Sequence, residues 1–241
     1  MSEQQTRELV AEFIGTLMLV LVGAGAVVMS GGDALTAALA HGLILVAIIA
    51  TYGHISGAHV NPAVSLALWI AGRMATRRMV LYMGAQFLGA LVASVLLLII
   101  IPEGTPGRAT LGQTTAAAGV NELDIILVEA LLTFFLVSSI FQVALYGKGG
   151  VLAPVLIGFT LAGSILLGGP LTGASLNPAR TLGPALLAPN AQDLFEVVIY
   201  MAGIFGGGAL AAFIHMDTFK TEDPAEEDAP ARKKLRRRLS S

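Results

Sequence analysis

Three kinds of residue stand out by type and spacing. The first is a pair of Asn-Pro-Ala tripeptides, Asn61-Pro62-Ala63 and Asn177-Pro178-Ala179, each led in by glycine and small or polar residues: Ser56-Gly57-Ala58-His59-Val60 and Thr172-Gly173-Ala174-Ser175-Leu176. Asn is a favoured helix N-cap, and Pro suits the first helical position because its missing N–H would be unpaired there anyway. Each Asn is therefore predicted to start a helix, whose unpaired N–H groups and dipole make that end a positive pole. The second is a pair of carboxylates, Glu12 and Glu129, embedded in apolar runs. Carboxylates inside a membrane are functional candidates by default, and in a proton-coupled transporter they would carry the coupling proton. The third is Arg180, directly after the second tripeptide. It stays ionised at physiological pH, and in hydrocarbon it would be too costly to be a bystander. His54, His59 and His215 have no partners at metal-ligand spacing, so neither a metal nor a cofactor is expected.

The elements that must position these groups are legible from composition. The chain has 241 residues, 55% hydrophobic and 12% charged, against roughly 25% charged for a soluble domain. Six apolar runs follow one another: Leu9 to Met29, Ala34 to Gly53, Met79 to Ile101, Ile125 to Tyr146, Val151 to Gly169 and Leu194 to Ile214. Each is about long enough to cross a hydrocarbon core as a helix of ~20 residues, and none alternates as a barrel strand would. The predicted fold class is an all-α membrane protein of six transmembrane helices. The first run is read as a retained helix and not a leader. The two Asn-initiated helices, Asn61 to Ile70 and Asn177 to Leu187, are too short to cross, giving only ~15 Å at 1.5 Å per residue. They are re-entrant half-helices. The non-helical residues ahead of each Asn are tolerable at membrane depth only if they are buried in protein or line water, which is the physical argument for a pore. Cysteine is absent, so there are no disulfides and mercurials should find no thiol. No catalytic, nucleotide-binding or nucleic-acid-binding motif is present, and an enzyme is disfavoured.

The chain repeats itself. Glu12 and Thr16 match Glu129 and Thr133, and each pair is followed at nearly equal distance by Asn-Pro-Ala. Each half holds three spans and one half-helix, and the odd number of spans inverts the second half. The expected organisation is an N-terminus over 1–8, a first repeat over 9–101, a connection over 102–124, a second repeat over 125–216 and a disordered tail over 217–241. Six spans put both termini and the second and fourth loops on one side, with Arg7, Arg73, Arg77, Arg78, Lys148, Lys220 and the basic residues from Arg232 to Arg238. Only Arg108 and Arg180 fall on the other, so both termini are expected to be cytoplasmic in a multi-pass cell-membrane protein.

Paired Asn-Pro-Ala boxes, Arg180 after the second and Glu at the same place in both halves resemble the aquaporin, or major intrinsic protein, superfamily, from about Glu8 to Ile214. The resemblance implies a homotetramer with one pore per subunit, passing water and small neutral solutes. It implies that Glu12 and Glu129 accept hydrogen bonds from the re-entrant loops. It also implies that the amides of Asn61 and Asn177 donate to water while carbonyls of Gly57, Ala58, His59, Gly173, Ala174 and Ser175 accept. Two helix ends of about +0.5 charge each would repel a cation at ~4 Å by ~4 kcal/mol at an effective dielectric of about 20. The implied selectivity filter is His41, Ile165, Ala174 and Arg180. It is similar to that of plant tonoplast intrinsic proteins, which pass ammonia, urea or hydrogen peroxide with water in various members. Glycerol facilitators favour Trp and Phe in the filter and Asp after the arginine, where this chain has Thr181. Tyr200 fits the water-channel pattern, and Met201 departs from it by replacing Trp. Two alternatives remain for the function: a secondary active transporter using Glu12 and Glu129, or a glycerol-type facilitator. His41 has an alternative too, as a packing residue against a neighbouring helix.

Overall fold

A computed structural model describes residues 1–219. The predicted tail falls almost wholly outside them. Among the described residues the fold is all-helical: α1 (Glu3–Met29), α2 (Ala34–Ser56), α3 (Pro62–Ile70), α4 (Thr76–Ile100), α5 (Glu122–Ser139), α6 (Ala153–Thr172), α7 (Pro178–Leu187) and α8 (Leu194–Asp217). Six are long and apolar enough to cross a membrane. The other two, α3 and α7, have 9 and 10 residues and start at Asn61 and Asn177.

Local chemistry explains the boundaries. Helix α1 begins well before its apolar run because Ser2 and Gln5 form a reciprocal capping box. Asp33 caps α2 and Asn121 caps α5, while α2 and α6 both stop at a left-handed glycine, Gly57 and Gly173. Helix α5 does not end as an α-helix. Its last turn, Ile140–Leu145, is π-wound before the chain turns into α6.

Packing repeats with the sequence. Helix α1 packs on α2 and α4 as α5 packs on α6 and α8; α7 packs on α4 as α3 packs on α8; α2 and α6 join the halves. With lipid as apolar as the helices, close backbone approach drives such contacts. A Cβ at Gly89 would lie 2.4 Å from the Phe13 carbonyl, and one at Gly207 would lie 2.1 Å from that of Ala130. In the Gly206-Gly207-Gly208 run the second and third glycines make such contacts, whereas Gly206 borders open space.

The connection over 102–124 is more than a surface link. Arg108 donates to the carbonyls of Leu98 and Ile101, Gln192 donates to that of Thr114, and Leu111 and Thr114 are fully buried.

Candidate functional site

Each carboxylate sits at the centre of a fan of donors. Glu12 accepts from the Ser56 hydroxyl at 2.7 Å, the His59 amide at 2.9 Å and the Val60 amide at 2.7 Å. Glu129 accepts from the Thr172 hydroxyl at 2.8 Å, the Ser175 amide at 3.0 Å and the Leu176 amide at 2.9 Å. The donors lie 44, 47 and 48 residues beyond Glu12 and 43, 46 and 47 beyond Glu129, so the two fans are built on one plan. Both carboxylates are fully buried. Their partners are loop backbones that would otherwise be orphaned in the membrane, where each unpaired group is costly.

The fans hold strained chain. Ala58, Val60, Ala174 and Leu176 have φ of 47°, 43°, 45° and 54°, a left-handed conformation costing on the order of 1–3 kcal/mol for residues with side chains. Bonds to carboxylates are among the stronger ones available to resist that cost. Two tyrosines brace the loop entrances: Tyr82 donates to the Ser56 carbonyl at 2.9 Å, and Tyr200 to the Thr172 carbonyl at 2.6 Å.

The loops bring the two Asn side chains together. Asn61 caps its helix through the Ala63 amide and donates across to the Leu176 carbonyl at 2.8 Å. Asn177 caps its helix through the Ala179 amide and donates across to the Val60 carbonyl at 2.8 Å. Each amide thus uses one N–H on the opposite loop and keeps a second. The N-termini of α3 and α7 meet, as the inverted repeat requires.

A cavity of about 570 Å³ runs past this junction. Its wall includes Gly57, Ala58, His59, Asn61, Ser175, Asn177, His41 and Arg180. On the side of the α5–α6 turn it is lined by Leu145, Gly147 and Val151, and Val151 is 95% exposed. Gly173, Ala174 and Ile165 are not on this wall. Ile165 and Ala174 are each 2% exposed, inside the cluster that also holds Leu19 and Leu45. Arg180 is 2% exposed; its Nη1 donates to the Gly112 carbonyl at 2.8 Å, and its Nε has no partner among the described residues. The His41 ring places Nδ1 2.8 Å from the Ala37 carbonyl and leaves Nε2 buried without a partner.

Several bonding roles escaped the sequence reading, some of them at residues it had named for other reasons. Gln86 donates to Glu12 at 2.7 Å and to Ser65 at 3.0 Å. Arg78 pairs with Glu8 at 3.1 Å and donates to the Tyr82 hydroxyl at 2.8 Å. Tyr82 and Tyr200 lie 26 and 28 residues beyond their acceptors, so aligning the halves to the end would have paired them. Gly112 offered no signal, because it acts through a backbone carbonyl.

Comparison with known proteins agrees with this geometry. The family model described as Major intrinsic protein matches residues 1–215. The chain is 38% identical over 227 residues to the probable aquaporin TIP3-2 of Arabidopsis thaliana, covering 87% of this chain and 82% of that protein. It is 38% identical over 223 residues to aquaporin TIP2-1 of Zea mays, covering 87% and 86%. The X-ray structure of the aquaglyceroporin from Plasmodium falciparum superposes with a TM-score of 0.76 at 25% identity, covering 90% of this chain and 97% of that one. Matched along nearly its whole described length, with inverted helices meeting at a lined cavity, the chain belongs to the major intrinsic protein family of membrane channels.

Proposed function

We propose that the chain is a passive channel conducting water together with small uncharged solutes such as ammonia, urea and hydrogen peroxide, and that it excludes protons and ions. The observation that carries this reading is the crossing of Asn61 and Asn177 on the wall of one cavity. Two positive helix ends and the Arg180 guanidinium face the same passage, and a cation meets their summed repulsion while a neutral molecule does not. The free amide hydrogens of the two asparagines orient passing water, and the carbonyls of the loops accept from it. In this reading His41 and Arg180 bound the narrow filter on the cavity wall, and Ile165 and Ala174, buried in the adjoining apolar cluster, complete it from behind, an aliphatic Ile165 there favouring passage of solutes beyond water.

The transporter alternative is weaker on one specific ground. Every oxygen of Glu12 and Glu129 already accepts at least one hydrogen bond from protein, and neither residue is on the cavity wall. A coupling carboxylate must exchange protons with the passage, and these hold the loops instead. Against the glycerol-type alternative, Thr181 stands where such facilitators carry Asp. We further propose two inverted repeats joined by 102–124, both termini cytoplasmic in the cell membrane, and a homotetramer with one pore per subunit.

Stopped-flow light scattering on proteoliposomes tests the reading solute by solute. Water, ammonia, urea and hydrogen peroxide should each equilibrate faster than in protein-free vesicles, without an ion gradient and without inhibition by mercurials. A solute flux that requires an imposed proton or sodium gradient would restore the transporter alternative.

A further inference from the structure

The ring of His41 does not stand free in the passage. Its outer edge lies against α1 at Gly23, where an added Cβ would come within 2.3 Å of Nε2, 2.4 Å of Cδ2 and 2.7 Å of Cε1. Real Cβ atoms essentially never approach that closely, so no residue but glycine is compatible with the ring where it is. The other ring nitrogen is fixed 2.8 Å from the Ala37 carbonyl, one turn back on α2, which makes Nδ1 the donor. Nε2 is left facing the α1 notch with no hydrogen-bond partner among the described residues, and His41 is 4% exposed overall. His41 nonetheless borders the cavity that Leu19, Leu45 and Arg180 also line.

We propose that Gly23 is a specificity-determining position: its missing side chain makes the notch on α1 that keeps the His41 imidazole withdrawn from the passage, and so sets the aperture opposite Arg180. The inference rests on the reading of His41 as a filter residue. Interiors are close-packed, and a ring pushed out of a notch moves to whatever open space it borders. For His41 that space is the cavity shared with Arg180. A methyl group at Gly23 therefore narrows the filter without touching any solute itself, and it acts only through the imidazole. The narrowing falls hardest on solutes wider than water.

The test is a cycle of Gly23→Ala, His41→Ala and the double variant in proteoliposomes, reading water and urea permeability for each. Gly23→Ala should lower urea permeability by about tenfold while water falls by no more than about twofold. In the double variant the urea-to-water ratio should equal that of His41→Ala alone, because no ring remains to displace. If His41→Ala shifts the ratio and Gly23→Ala does not, the filter reading stands and the role of Gly23 is overturned. If neither variant shifts it, the filter reading falls and the inference with it. If Gly23→Ala lowers both solutes equally, with or without His41, the glycine is a general packing requirement of α1 and the proposal is overturned.

Discussion

The two re-entrant loops share a scaffold and differ in chemistry. In both, a buried glutamate gathers a hydroxyl and two loop amides, a tyrosine braces the entrance, and an Asn caps the half-helix and bonds to the opposite loop. The first loop adds Gln86 as a further donor to its glutamate and an Arg78–Glu8 pair beside its tyrosine. The second adds Arg180, anchored on Gly112, and carries no amide on Glu129 in the place of Gln86. Thr16 donates to the Glu12 carbonyl, whereas the hydroxyl of its counterpart Thr133 has no partner among the described residues. What is duplicated is the means of holding strained backbone at membrane depth; what is unique to one half is a buried arginine beside the cavity. The first loop's glutamate is the more heavily tied, and the second loop carries the charge to which we assign selection.

The largest effect that would break this comparison is on stability. Glu12→Ala removes the acceptor of the Ser56 hydroxyl and of two loop amides and one of the two acceptors of the Gln86 amide, and Glu129→Ala orphans three donors. At about 1–3 kcal/mol for each buried unpaired group, thermal unfolding in detergent should find both strongly destabilised and Glu12→Ala the worse. Equal losses would mean that Gln86 adds nothing. Next comes Arg180→Ala, which should raise proton leak by on the order of tenfold while water flux persists, given the few kcal/mol at stake in such repulsion. A pH-sensitive dye inside the vesicles reads it, and an unchanged leak would place proton exclusion wholly at the asparagines. Smaller still, Tyr82→Phe and Tyr200→Phe each remove one hydrogen bond to a loop carbonyl, worth about 1 kcal/mol. Tyr82→Phe should cost more because Arg78 loses an acceptor as well, and a larger loss in Tyr200→Phe would reverse the ranking of the loops.

The smallest effect is outside the membrane. The Thr36 hydroxyl and amide, at 2.6 and 2.7 Å, hold the Asp33 carboxyl below its ordinary value of 3.8. A depressed carboxyl stabilises the folded state at any pH above its unfolded value, and that contribution fades as pH falls through the lowered one. Hydrogen-exchange protection at the start of α2, taken relative to the intrinsic amide rate at each pH, should therefore be flat from neutrality to about pH 4 and fall only below. Fraying that begins nearer neutrality would contradict the assigned cap.

Local chemistry decided what was legible in the sequence. Asn61-Pro62 and Asn177-Pro178 write their helix starts in two residues each, because cap and first-turn preferences are short-range. The true start of α1 at Glu3 was missed: hydropathy stops where charge begins, while the Ser2–Gln5 capping box carries the helix on through polar residues. The π-wound end of α5 has no marker in Ile140–Leu145, since the winding depends on what packs around it. Glu12 and Glu129 announced themselves as charges in apolar runs. Gly112 could not, because every residue has a carbonyl, and only the fold decides which one meets Arg180. Ile165 and Ala174 illustrate the same limit: the family resemblance named them, and neighbouring side chains determine how far they stand from the open passage.

The most direct test of a neutral-selective passage at the Asn61–Asn177 crossing is osmotic shrinkage of proteoliposomes recorded together with internal pH under an imposed proton gradient. Rapid shrinkage with internal pH holding as in bare lipid is the predicted result. Shrinkage no faster than bare lipid, or fast shrinkage with pH collapsing at a matching rate, would contradict it.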